Sequence, residues 1–211
     1  MRTPATRPVG ASAGLRAALR RDVLVAAAIA ALLQYGTFAL TYGFVPVYGE
    51  RLGGSSADLG VLATVTVGAG AVAALATAYL GARVQARTVA IVGFLVVALS
   101  TAVIPSIQDF GLLTASQAAG GFGRGLVFPA LMAASIQRVE ALERGAAMGV
   151  FQAVYAAGMF LGPATAGALA DWLGLDRVFL IVAGLSAVGA LAADRWLESR
   201  APRQAPSAHS M

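Results

Sequence analysis

The chain of 211 residues contains no cysteine, no lysine and no asparagine, and its single histidine, His209, lies two residues from the C-terminus. Without cysteine there are neither disulfides nor thiolate metal sites. No His, Asp or Glu falls inside any of the long apolar stretches. With no nucleophile–base pair and no metal-ligating cluster, the chain is expected to be no enzyme and to need no metal or other cofactor. Charge of either sign is scarce. Charged residues make up 12% of the chain, against about 25% in a soluble domain. Hydrophobic residues reach 58%. This balance excludes an ordinary soluble domain and points to an integral membrane protein in contact with a lipid bilayer.

What is present is a series of charge-poor spans. No charged residue lies between Asp22 and Glu50, Asp58 and Arg83, Arg87 and Asp109, Arg144 and Asp171, or Arg177 and Asp194. The span from Asp109 to Arg138 holds one charge, Arg124. A membrane helix needs about 20 apolar residues to cross about 30 Å of hydrocarbon. Five spans reach that length; the last, Val178 to Ala193, is short and calls on Arg177 and Trp196 as interfacial anchors. The expected fold is all-α, with six transmembrane helices over residues 22–197. A basic cytoplasmic segment over 1–21 precedes them, and a Pro/Ser-rich cytoplasmic tail over 198–211, expected to be disordered, follows.

The arginines set the orientation. Five lie before the first span, and Arg83, Arg87, Arg138, Arg144, Arg195, Arg200 and Arg203 flank the even-numbered loops and the C-terminus. The odd-numbered loops hold only Arg51 and Arg177. By the positive-inside rule both termini are cytoplasmic, and the protein is a multi-pass component of the cell (plasma) membrane. The net charge of +5 therefore reads as topology, with no nucleic-acid partner. The N-terminal layout resembles a signal peptide, but its apolar run continues to Pro46, far beyond an h-region of about 7–15 residues.

The stretch GGFGRGLVFP, Gly120 to Pro129, concentrates glycine around the one mid-span charge. A Walker loop requires lysine where Leu126 stands, and the dinucleotide fingerprint fails because Gly125 comes one residue early. The stretch instead suits a close-packed helix. Gly121 and Gly125 share a face four residues apart, and Pro129 removes the N–H that would bond Gly125, which predicts a bend. Arg124 lies roughly 21–22 Å from either span end at 1.5 Å per residue. A mid-membrane arginine costs about 2.5–3.5 kcal/mol on insertion scales. Such a residue either lines a substrate or coupling cavity or bonds the carbonyls of a broken neighbouring helix.

Spans one, four and five carry large polar groups at helical spacings. Gln34 with Thr41, Tyr35 with Tyr42, and Gln117 with Arg124 are seven apart, and Gln152 and Tyr155 are three apart. Each pair suits one helical face. Gln34, Tyr35, Thr41, Gln117, Arg124, Gln152 and Tyr155 are thus candidates to line a substrate cavity, or else to hydrogen-bond between helices.

The stretch RGAAMGVFQAVYAAGMFLGPATAGALADWLG, Arg144 to Gly174, resembles the eleventh helix of the major facilitator superfamily of secondary transporters. The match rests on Arg144-Gly145, Gly149, Gly158, Gly162-Pro163 and Gly167. FVPVYGERLGGSSADLG, Phe44 to Gly60, is similar to the family's link between helices seven and eight, and GFGRGLVFP to its tenth helix. The resemblance covers residues 15–197 and implies the C-terminal six-helix half, a 3+3 inverted repeat. It also implies that the third and sixth spans face lipid, and that a small solute is moved by alternating access. The Gly162-Pro163 bend resembles the antiporter motif of drug exporters, which favours efflux of drugs or small organic solutes. Gly121, Gly125, Pro129, Gly158, Gly162 and Pro163 are the expected bend and packing residues.

Two departures qualify the resemblance. The family's loop between the second and third helices carries an aspartate that GARVQARTV, Gly81 to Val89, lacks. That leaves Arg83, Arg87 and Arg144 as candidates for a cytoplasmic gate. The chain also supplies one half where the family fold has two. No carboxylate lies at the depth of Arg124, so a complete site calls for a second six-helix half: a separate chain, an upstream part of this one, or a homodimer. The alternatives to a transporter component are a non-transporting membrane interaction or regulatory protein and an inactive truncated remnant.

Overall fold

The computed structural model describes Arg16, residues 18–80 and residues 84–197. Among the described residues the secondary structure is entirely helical, and six helices are long and apolar enough to cross a membrane. These are α1 (Arg21–Arg51), α2 (Ser56–Leu80), α3 (Ala86–Ala102), α4 (Phe110–Ile136), α5 (Arg144–Leu173) and α6 (Leu175–Trp196). The last is longer than its uncharged stretch. Asp176 and Arg177 belong to its first turn and Arg195 to its last, because charge at a membrane interface does not end a helix. At 22 residues it spans about 33 Å. The segments over 1–15, Arg83 and the tail over 198–211 lie outside the described residues.

Local chemistry sets the helix ends. Ser55 and Asp58 cap α2 reciprocally: the Ser55 N–H donates to the Asp58 carboxylate at 2.9 Å, and the Asp58 N–H donates to the Ser55 hydroxyl at 3.3 Å. Asp109 caps α4 by accepting from the Leu112 N–H at 2.9 Å. Gly174 joins α5 to α6 at φ +84, a left-handed conformation that glycine adopts without steric cost.

One helix changes its winding. Within α1, Thr37–Phe44 winds as a π-helix between α-helical Arg21–Gly36 and Val45–Arg51. Pro46 follows immediately. It lacks an N–H, and its ring crowds the carbonyl four residues back, a conflict that wider winding relieves. Pro129 lies inside α4 and Pro163 inside α5, and both of these helices are continuous.

Apart from α3 with α4, the main packing partners are not sequence neighbours. The largest contacts pair α2 with α4, α3 with α4, α1 with α5, and α3 with α6. Exchanging the first three helices with the last three maps the α1–α5 pair onto α4–α2, as a 3+3 repeat requires. Two apolar cores form. One gathers Phe94, Val127, Leu131 and Phe151 around the first turns of α1. The other gathers Leu40, Tyr48, Leu113 and Phe179 around its far end. Buried polar residues, including Thr37, Thr41, Thr101, Gln117 and Ser186, lie between them. Helices α3 and α6 expose one stripe each, with Leu99 and Leu191 on it. The least buried helices are α2 and α5.

Candidate functional site

Glycines bring α4 against its neighbours and thereby place Arg124. A Cβ on Gly121 would strike the Thr66 carbonyl oxygen, one on Gly125 the Gly70 carbonyl oxygen, and one on Gly123 would come within 2.7 Å of the Gly93 carbonyl oxygen. With α2 and α3 seated this closely, the Arg124 side chain runs back along its own helix, as side chains on helices do. A Cβ on Gly120 would lie 3.2 Å from Arg124 Nη1 and 2.9 Å from Ser100 Oγ, so Gly120 makes the room that the guanidinium occupies.

Arg124 is half-buried as a residue. Its Nη2, however, is wholly enclosed, and among the described residues it is the one side-chain nitrogen or oxygen with no accessible surface of its own that also lacks a hydrogen-bond partner. It borders a small space, ≈ 10 Å³, together with Thr37 and Thr41 of α1, Thr101 of α3, Gln117 of α4 and Ser186 of α6. That volume is about what one water molecule needs. Gln117 is 3% exposed and makes no hydrogen bond among the described residues. Thr37 and Ser186 donate their hydroxyl hydrogens to carbonyls one turn back, Leu33 at 2.8 Å and Val182 at 3.0 Å.

The structure distributes the remaining candidates elsewhere. Tyr35 reaches α5, where its hydroxyl lies 2.9 Å from Thr165 Oγ1. Thr165 donates to the Leu161 carbonyl at 2.8 Å, so the Tyr35 hydroxyl is the donor between them. Tyr42 is 58% exposed and packs edge-on against Phe38. Gln34 does not border the space that Thr41 borders. The π winding between them breaks the seven-residue periodicity of an α-helix. Gln34 is half-buried and Gln152 exposed. Tyr155 joins an aromatic cluster with Phe128 and Phe151 at ring-centroid distances of 5.3 and 5.5 Å.

Gly158 and Gly162 face α1. A Cβ on Gly158 would strike the Ala31 carbonyl oxygen, and one on Gly162 would lie 2.6 Å from that of Tyr35. Of the arginines at the helix ends, Arg87 pairs with Asp194 at 2.6 Å and ties α3 to α6, while the Arg144 Nε–H donates to the Val139 carbonyl at 3.2 Å and closes its own loop. Arg83 lies outside the described residues.

Thr37, Thr101, Ser186 and Thr165 were not legible as site residues. Each is a small hydroxyl in a helix, indistinguishable in sequence from one that only bonds its own backbone. The proline at position 46 was the available signal for the break in α1.

The sequence profile of the Major Facilitator Superfamily matches residues 27–210. An uncharacterized MFS-type transporter, YhhS, of Escherichia coli (strain K12) is 29% identical, the alignment covering 82% of this chain and 47% of that protein. The proteins of the same description from Shigella flexneri and Salmonella typhimurium (strain LT2) match with the same identity and coverage. The chain spans about half the length of these relatives. It belongs to the Major Facilitator Superfamily, and it is a multi-pass membrane protein of a transporter family.

Proposed function

We propose that this member of the superfamily is the C-terminal six-helix half of a secondary transporter, completed by a second half. It rocks against that half to move a small organic solute across the cell membrane, with drug efflux the preferred direction. The observation that carries this reading is the unequal burial of the helices. α2 and α5 are the least buried, with Val61, Val72, Leu75, Phe160 and Trp172 turned outward, and the chain spans 47% of the relative's length. A second six-helix unit against this side would cover them and supply the matching wall of a midplane cavity. On this chain's side the wall consists of Gln34, Tyr35, Gln152 and Tyr155, with Arg124, Gln117 and Thr41 behind it. The arginine distribution supports cytoplasmic termini, and Arg83, Arg87 and Arg144 then sit at the cytoplasmic end as gate residues.

The test is efflux of fluorescent organic dyes from cells lacking their own exporters. The chain is expressed alone, and joined to or co-expressed with the N-terminal half of a relative. Efflux only with the second half, lost again in Gln152→Ala with Tyr155→Ala, is the expected outcome. Identical dye accumulation in all cells, with both halves present in the membrane, would sink the proposal.

A further inference from the structure

The polar walls of the space at Arg124 are hydroxyls, an amide and a guanidinium, each able to turn a donor toward it. Arg124 is a permanent cation, and its Nη2 has no partner among the described residues. Gln117, on the same helix two turns away, is 3% exposed and makes no hydrogen bond among the described residues. Thr41 and Thr101 are 9% and 6% exposed, and their hydroxyl hydrogens are likewise unused among the described residues. By contrast, the hydroxyl hydrogens of Thr37 and Ser186 are already given to backbone carbonyls. Four donor groups thus converge on one space, and one of them carries a full positive charge.

Electrostatics points the same way. Asp and Glu are confined to the span ends; Asp109 is roughly 22 Å from Arg124 along the helix. A guanidinium held in low dielectric without a counter-charge is strongly disfavoured. A neutral water would satisfy a hydrogen bond and leave that charge uncompensated. The space offers about the room of one water-sized particle. Among anions a monatomic one comes nearest to that size and supplies the sign.

We propose that the space bounded by Arg124, Gln117, Thr41 and Thr101 is a halide-binding site, which chloride fills as the counter-ion of the buried guanidinium. Arg124 supplies the charge, Gln117 its amide N–H, and the two threonines their hydroxyls. The site joins α1, α3 and α4 at the level where the two apolar cores separate, so halide binding stabilises the bundle. The inference stands whichever solute the protein moves.

The protein, purified as it is natively expressed in lipid nanodiscs, is unfolded thermally while sodium chloride replaces sodium gluconate at constant ionic strength. Gluconate is too large for the space. A Tm that rises with chloride and saturates, with bromide acting alike, is expected, because a ligand that binds only the folded state stabilises it by mass action. Gln117→Leu is expected to move the midpoint of that rise to about tenfold higher chloride, the loss of one hydrogen bond to a charged group. Arg124→Met is expected to abolish the rise. Equal Tm in chloride and gluconate would overturn the proposal, as would a chloride response unchanged in Gln117→Leu. If Arg124→Met does not accumulate, the Gln117→Leu midpoint decides alone.

Discussion

Two of the seams in the bundle are built differently. Between α2 and α4 glycine stands on both sides: Gly121 and Gly125 face Thr66 and Gly70, and a Cβ on Gly70 would lie 3.1 Å from the Gly121 carbonyl oxygen. Backbone meets backbone with no side chain free to give. Between α1 and α5 glycine stands on one side only, Gly158 and Gly162 against Ala31 and Tyr35. There the contact continues through a hydrogen bond from Tyr35 to Thr165, beside the π-wound part of α1. The first seam is a fixed contact. The second has adjustable parts: a side-chain hydrogen bond, a proline at position 163 and a helix already unwound from α geometry.

The largest effect expected on this contrast comes from filling each seam with one methyl group. Gly125→Ala should cost about 3 kcal/mol and Gly158→Ala about 2 kcal/mol, overpacking penalties that scale with how little the neighbour can move. Denaturant titration in bicelles measures both. Equal losses would mean that the two seams are equally rigid and would remove the contrast. A smaller effect isolates the polar part of the second seam. Tyr35→Phe keeps the ring and removes the donor to Thr165, and it should cost about 0.6 kcal/mol, the average for a hydrogen bond between membrane helices; a loss above about 2 kcal/mol in the same titration would show that the bond anchors more than this one contact. The smallest effect is expected where glycine faces open space. A Cβ on Gly68 of α2 or Gly167 of α5 meets nothing within 4 Å. Gly68→Ala and Gly167→Ala should therefore change stability by less than about 1 kcal/mol, toward stabilisation, through helix propensity alone. A clear loss of stability in either would place an unseen partner on that helix.

Much of this was readable from the residues. The charge-poor spans mark all six helices, because a chain in lipid has few alternatives to helix. The four-residue glycine spacing of Gly121 with Gly125, and of Gly158 with Gly162, falls where backbones approach closely. Gln117 and Arg124 share one wall as their seven-residue spacing requires. What the residues conceal is what depends on more than one helix. Counting charges made α6 look short, since Arg177 and Asp194 stop the count but not the helix. The π winding lies between Gln34 and Thr41, of which only Thr41 borders the space beside Arg124, and a seven-residue rule does not carry through such a change of pitch. Thr101 and Ser186 reach the space beside Arg124 only because α3 and α6 pack on each other, a fact of tertiary arrangement that no local pattern records.

The order in which the helices pair has a consequence for how the protein is made. Tyr35 and Thr165, bonded in the finished bundle, are 130 residues apart. When α1 leaves the ribosome, the helix that will cover its Ala31–Tyr35 face does not yet exist, and α2 likewise waits for α4. Synthesis runs at about 5–20 residues per second, so α1 stands in lipid for several seconds with its partner face bare. A helix whose polar residues must tolerate that interval gains from small side chains and back-bonded threonines, such as Thr37, which hold their own hydrogen bonds until the partner arrives.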